Sequence, residues 1–183
     1  MKLGCLLIDG LNKKVKIMIT KVSDVKDIVK LGIENPKEVF PKIKELARSK
    51  DWKVREVAAT ALLEISKKRR IEVVKEMEKW ANDSDENVRR TASEGLRDVA
   101  RKDQSIVLPV LEKLKKDDSL YVKKSVANVL RNASRYNSKF VLNLCRKWSK
   151  EKNTNTNWII KDGLRKLKQS HKKEVDEIIS NFK

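Results

Sequence analysis

Cysteine, histidine, glycine, proline and aromatic rings are all scarce in this chain of 183 residues, and each shortage closes off a class. Two cysteines, Cys5 and Cys145, cannot build a disulfide framework, which predicts an intracellular, cytoplasmic protein. With a single histidine beside them, no zinc cluster can be assembled, so no metal is expected, and nothing in the sequence suggests a small-molecule cofactor. No uninterrupted apolar run reaches the roughly 18 residues that a membrane helix needs. Five glycines and three prolines are too few for the turns of a sandwich or an α/β sheet, and the many Lys, Glu, Leu and Val favour an all-α chain. Acidic residues are also short: 44 Lys and Arg stand against 26 Asp and Glu, a formal charge of +18. Such a surplus points to a polyanionic partner, nucleic acid first.

The surplus is uneven. Residues 1–50 carry 12 bases and 6 acids, residues 51–118 carry 16 and 15, and residues 119–183 carry 16 and 5. The middle is balanced and the last third holds most of the excess.

What the chain does contain is a repeat of 34 residues. Leu62, Leu96, Leu130 and Leu164 keep that spacing, as do Val39, Val73, Val107, Val141 and Val175. Three further series share the register: Leu46, Trp80, Leu114, Trp148 and Phe182; Val54, Val88 and Val122; and the mostly small Ala61, Gly95, Val129 and Gly163. Within one unit, Val73, Val74, Met77 and Trp80 fall on one helical face, and Val88, Ala92, Gly95, Leu96 and Val99 on another. Between them lie turns that also offer N-cap side chains: Ser49-Lys50-Asp51, Asn82 to Asp85, Asp117-Asp118-Ser119 and Asn153-Thr154-Asn155. Each unit is therefore a helical hairpin whose apolar faces only stacking can bury, and the expected architecture is an α-solenoid. First helices are expected near 37–49, 70–82, 104–116, 138–150 and 171–182, and second helices near 22–34, 53–67, 86–101, 120–135 and 155–169. Tetratricopeptide signatures are absent. The second helices instead begin with a polar cap, then Val-Arg or Val-Lys, then a small residue four on from the Val, which resembles a HEAT-type repeat. Residues 21–183 form this domain; residues 1–20 stand outside it, as a short hairpin around Asp9-Gly10 or as an upstream extension.

In the shared register, one stripe of the second helices reads Arg55, Ala59, Leu63; Arg89, Ser93, Arg97; Lys123, Ala127, Arg131; and Asn157, Lys161, Arg165. Seven of these twelve positions are basic and none is acidic, so the stripe is expected to line a groove and neutralise phosphates of double-stranded DNA. The adjoining stripe is mixed: Glu56, Thr60, Glu64; Arg90, Glu94, Asp98; Lys124, Asn128, Asn132; and Trp158, Asp162, Lys166. Arg90, Lys124 and Trp158 join the DNA-binding candidates from it. Trp158 either faces DNA or caps the incomplete last repeat, since its slot is polar in every other unit. Trp80 and Trp148 share a slot with Leu46 and Leu114 and are expected in the core, Trp52 is expected to staple its turn, and His171 to be a surface charge.

Residues 85–97, Asp-Glu-Asn-Val-Arg-Arg-Thr-Ala-Ser-Glu-Gly-Leu-Arg, resemble the Val-Arg-Arg-x-x-Ser-Glu-Gly segment of the AlkC/AlkD-type DNA alkylation repair proteins, the AlkC branch above all. Leu108 to Asp118, Ser119 to Leu130 and Trp158 to Arg165 continue the likeness, which spans about residues 50–170. The resemblance implies a HEAT-like solenoid that holds alkylated duplex DNA and hydrolyses the bond between an alkylated purine and its sugar. That chemistry asks for a carboxylate beside phosphate-binding cations, to stabilise positive charge developing on the sugar and to position water. Glu94 matches the motif's glutamate and is the candidate catalytic residue; read alone, it is an intrahelical partner of Arg90. Two departures weaken the chemistry. The loop after this segment is shortened to Asp98-Val-Ala-Arg-Lys-Asp without an aromatic, and Asn132 stands where the pattern has an aspartate, which an amide cannot replace as a base. Asp98 and Asp162 are substitute acids or surface charges. The alternative to a DNA-binding repair module is a HEAT scaffold whose cations meet an acidic protein partner.

Overall fold

A computed structural model describes residues 25–182, and every regular element among them is helical. The expected segment 1–20 lies outside the described residues. First helices are α2 (Pro36–Ala47), α4 (Arg70–Trp80), α7 (Leu108–Leu114), α9 (Ser138–Ser149) and α11 (Lys172–Ser180); second helices are α1 (Val25–Glu34), α3 (Trp52–Ser66), α5 (Glu86–Glu94), α8 (Leu120–Ser134) and α10 (Thr154–Leu164). A short helix, α6 (Val99–Lys102), follows α5, and a 3-10 turn at Leu167–Gln169 follows α10. The two layers stack as an α-solenoid. Successive second helices pack on one another more extensively than successive first helices do, which makes theirs the tighter, inner layer.

The helices start where the caps dictate. The Asp51 and Asp85 side chains accept from the amides of Lys53 and Asn87, Ser119 accepts from Tyr121 and Val122, and Asn153 accepts from Thr156. Each such cap contributes about 1 kcal/mol and fixes the register of the helix behind it.

Three helices are shorter than the periodicity predicts. The helix expected over 86–101 stops at Glu94, because Thr91, Ser93 and Gly95 are weak helix formers and the amides of Leu96 and Arg97 turn back to the carbonyls three residues earlier. The helix expected from residue 104 begins at Leu108, with Pro109 in its first turn and Asp103 accepting from Ser105 and Ile106 just before it. The helix expected to reach 169 breaks after Leu164.

The leucine, valine and Trp80/Trp148 series form one continuous core. Leu62, Leu96, Leu130 and Leu164 are buried, and so are both tryptophans. Each buried indole N–H has a carboxylate partner: Trp80 donates to Glu76 at 3.0 Å and Trp148 to Glu112 at 2.9 Å. The small-residue series marks where second helices approach. A Cβ on Gly95 would sit 2.9 Å from the Leu62 Cβ, and one on Gly163 would sit 3.0 Å from the Leu130 Cδ1. Trp52 departs from expectation. As the first residue of α3 it is 62% exposed and staples nothing. Cys145 is fully buried, and burial pushes its thiol well above the ordinary value, so it is inert.

Candidate nucleic-acid interface

The basic stripe divides once its side chains are placed. Arg55 and Arg89 stand one turn into their helices and fold back over the preceding turns. Arg55 donates to the carbonyls of Ser49 and Lys50 at 2.8 and 2.9 Å, and Arg89 to those of Asp83 and Ser84 at 2.9 Å each. Arg89 also clasps Asp117 of the next turn, with Nε 2.6 Å and Nη2 3.2 Å from its carboxylate. That bond raises the Arg89 guanidinium above its ordinary value. Lys123 donates to Asn155 at 2.8 Å in the same way. These three cations are a ladder along the turn edge: Arg55 and Arg89 tie their helices to the loops before them, and Arg89 and Lys123 reach the next repeat. All three cations expected on a phosphate-binding row are thus engaged by hydrogen bonds within the fold. The middle slot of the stripe (Ala59, Ser93, Ala127) is buried against neighbouring helices.

The other basic slot is neutralised by the mixed stripe beside it. Arg97 donates to Glu94 at 2.5 Å, Arg131 reaches Asp162 at 2.6 Å and Asn128 at 3.4 Å, and Arg165 lies 3.3 Å from Asp162. Asn128 also donates to Glu94 at 3.3 Å and accepts from Asn132 at 3.2 Å. The outcome is a continuous polar chain from Arg97 through Glu94, Asn128, Arg131 and Asp162 to Arg165, crossing three second helices.

Glu94 sits deep in that chain. It is 4% exposed, and besides Arg97 and Asn128 it accepts from the Ser125 hydroxyl at 3.0 Å, which in turn lies 2.7 Å from Ser93 Oγ. Arg90, expected as its intrahelical partner, points elsewhere. Arg90 reaches Glu56 at 3.4 Å and lies over the Tyr121 ring at 4.9 Å, while Arg55 lies over the same ring at 5.5 Å. Asp98 pairs with Arg101 at 3.3 Å, off the chain. Asn132 is bonded to Asn128, and Trp158 is half-buried against the core. His171, at the start of α11, lies between Ser138 and Ser170.

Exposed cations lie on or just beyond the last two second helices. Lys124 on α8, Lys161 on α10, and Arg165 and Lys166 just beyond it are exposed, and Lys124, Lys161 and Lys166 have no carboxylate within 4 Å among the described residues. Of the ten residues expected to bind DNA, only Lys124, Lys161 and Arg165 are exposed, the last with Asp162 at 3.3 Å; Lys166, also exposed, belongs to the mixed stripe.

The turn edge is reinforced by buried charge. Burial alone would raise the Asp83 carboxyl, but bonds from Lys44 at 2.7 Å and from the Asp85 amide, with Arg48 nearby, hold it below its ordinary range. Glu112 behaves alike beside Lys115 and Trp148, and the Lys115 bond holds Glu151 low. No group of His, Cys, Asp and Glu among the described residues could hold a metal ion, and no described helix is long and apolar enough to cross a membrane.

A family model described as HEAT repeats matches residues 40–131. The chain belongs to the HEAT repeat family. Among solved structures, its fold is similar to those of AlkC and AlkD2. The Pseudomonas fluorescens alkylpurine DNA glycosylase AlkC, bound to DNA containing an abasic-site analogue, superposes with a TM-score of 0.73 at 24% identity, covering 88% of this chain and 47% of that one. AlkD2 from Streptococcus mutans superposes at 0.67 with 27% identity, covering 79% of this chain and 72% of its own. The HEAT array thus spans about half the length of the AlkC chain. No curated protein matches the sequence.

Proposed function

We propose that this HEAT protein is a DNA-binding module of the alkylation-repair type, gripping duplex DNA at the C-terminal end of its second-helix layer. The observation that carries this reading is the exposure of Lys124, Lys161, Arg165 and Lys166, on or just beyond the last two second helices, where the chain's net positive charge is concentrated. Phosphates that meet such cations give up condensed counterions, and that release is the main driving force of sequence-independent binding. The likeness to AlkC, which is a DNA-bound glycosylase, supports the same choice of polyanion over an acidic protein.

Base excision is the finer reading, and the environment of Glu94 favours grip over chemistry. A carboxylate that stabilises charge on a sugar must face it. Glu94 is buried, and both its oxygens accept hydrogen bonds from Arg97, Asn128 and Ser125. With Asn132 in place of an acid and no aromatic in the loop after Arg97, the protein reads as a binder of duplex DNA. Incubation with methylated duplex DNA tests this: binding without release of 3-methyladenine or 7-methylguanine is expected. Release that disappears in Glu94→Gln would instead establish a glycosylase, and absence of duplex binding would favour the protein scaffold.

A further inference from the structure

Lined by none of the residues of the polar chain, a cavity of about 500 Å³ opens at the edge where second helices end and pass to the next first helices. Its walls include Lys67 after α3, Arg70 at the start of α4, Asp98, Arg101 and Lys102 around α6, and Tyr136 just beyond α8. Four of these carry positive charge and one is acidic. Asp98 is engaged by Arg101, and Lys67 by Glu64 at 2.5 Å. Arg70 and Lys102 are exposed and have no ion-pair partner within 4 Å among the described residues, although Asp103 is close enough to feel the Arg70 charge.

Tyr136 is the unusual member. It is 59% exposed, yet one guanidinium holds it through two contacts: Arg101 lies over its ring at 4.9 Å and also donates to its hydroxyl. An exposed ring locked by an arginine is a flat platform that loses little freedom when another ring stacks on it. Beside it stand two cations without partners, in a cavity of the size that accommodates a small organic molecule.

We propose that this cavity binds a nucleoside phosphate, with the base stacked on the Tyr136–Arg101 platform and the phosphate between Arg70 and Lys102. A free nucleotide and an unpaired nucleotide of a single strand present the same chemistry. The site lies off the second-helix face, so its failure leaves the duplex reading untouched.

The test is equilibrium titration of the full chain with AMP, adenosine, inorganic phosphate and an oligothymidylate, repeated on Tyr136→Ala, Tyr136→Phe and the Arg70→Ala/Lys102→Ala pair. These side chains are exposed, so the variants should keep the parent melting temperature and duplex affinity. AMP should bind saturably and at least about tenfold tighter than adenosine or phosphate alone, since both halves of the site contribute. Tyr136→Ala should weaken AMP about tenfold, Tyr136→Phe less, and the paired substitution should abolish binding. An oligothymidylate that binds tighter than AMP, and loses that advantage in Tyr136→Ala, identifies the strand as the source; the reverse order identifies the free nucleotide. Phosphate binding as tightly as AMP, AMP affinity indifferent to Tyr136→Ala, or no saturable binding of AMP or the oligothymidylate overturns the proposal.

Discussion

Replacing Glu94 separates a carboxylate held by the fold from one poised for chemistry. Glutamine keeps the shape and one carbonyl acceptor, and the Ser125 hydroxyl can rotate to accept from the new amide. What Glu94→Gln loses is charge assistance to Arg97, the difference between a charged and a neutral hydrogen bond, about 1 kcal/mol. Arg97 is 30% exposed in its side chain, so water recovers part of even that. Alanine removes all three bonds, at 2.5, 3.0 and 3.3 Å, and leaves one Asn128 N–H without an acceptor, while the Ser125 hydroxyl keeps only the longer bond to the Arg90 carbonyl at 3.3 Å. At about 1–3 kcal/mol per buried group, tempered because Asn128 keeps its other partners, Glu94→Ala should cost about 3–4 kcal/mol. In a chain of this length each kcal/mol lowers the melting temperature by roughly 2–4 °C, so alanine should melt roughly 6–15 °C early and glutamine only a few degrees. Calorimetry on both variants, with Arg97→Ala completing a double-mutant cycle, reads the coupling directly, expected at about 1–2 kcal/mol. Equal costs for the two variants, or a gain in stability from either, would refute the reasoning, because a strained, unsatisfied carboxylate behaves in that way.

Three further outcomes follow from the same geometry. Arg89→Ala should destabilise by about 2–3 kcal/mol in urea unfolding, since it frees two loop carbonyls and leaves Asp117 without its clasp, whereas Lys161→Ala should stay within about 0.5 kcal/mol. Equal effects would show that the turn-edge ladder does not hold the repeats together. Gly95→Ala should cost about 1–3 kcal/mol despite alanine's better helix propensity, because its Cβ would meet the Leu62 Cβ at 2.9 Å, and an unchanged melting temperature would contradict that packing. Acid should weaken the fold through Asp83, Glu112 and Glu151. All three are held below their ordinary values of 3.8, 4.5 and 4.5, so the unfolded chain binds more protons. Their contribution is complete above those values and is lost as pH falls through the lower folded ones. The urea midpoint should be level from pH 7 to about pH 5 and drop below about pH 4; a midpoint unchanged at about pH 3 would contradict the ion pairs.

The solenoid was legible because its cause is periodic. A leucine every 34 residues is a core contact repeated, and caps such as Asp85 and Ser119 act through their own helix, so both survive translation from sequence to structure. Helix ends at Glu94 and Leu164 were not legible, since hydrophobic period carries across a tightened turn. The candidate interface was half legible. The stripe containing Arg55 and Arg89 is basic and devoid of acids, but composition cannot tell a cation that meets solvent from one that bonds a loop carbonyl six residues back. The register did contain the missing signal. Residues 34 apart are neighbours across repeats, as Glu56 with Arg90 and Glu94 with Asn128 show, so the mixed stripe could have been read as the partner of the basic one. Tyr136 belongs to no series, and only the fold brings it beside Arg101.

A duplex gripped at the end of the inner layer should reveal itself in the salt dependence of binding, measured by anisotropy with an unmodified duplex for the parent chain and for the Lys124→Ala/Lys161→Ala/Lys166→Ala variant. Each phosphate contact contributes about 0.9 to the slope of log affinity against log salt, so the parent should show a steep fall and the variant a slope shallower by about 2–3 with the same melting temperature. A parent affinity indifferent to salt, or a slope the three substitutions leave unchanged, would contradict a duplex held at the end of the inner layer.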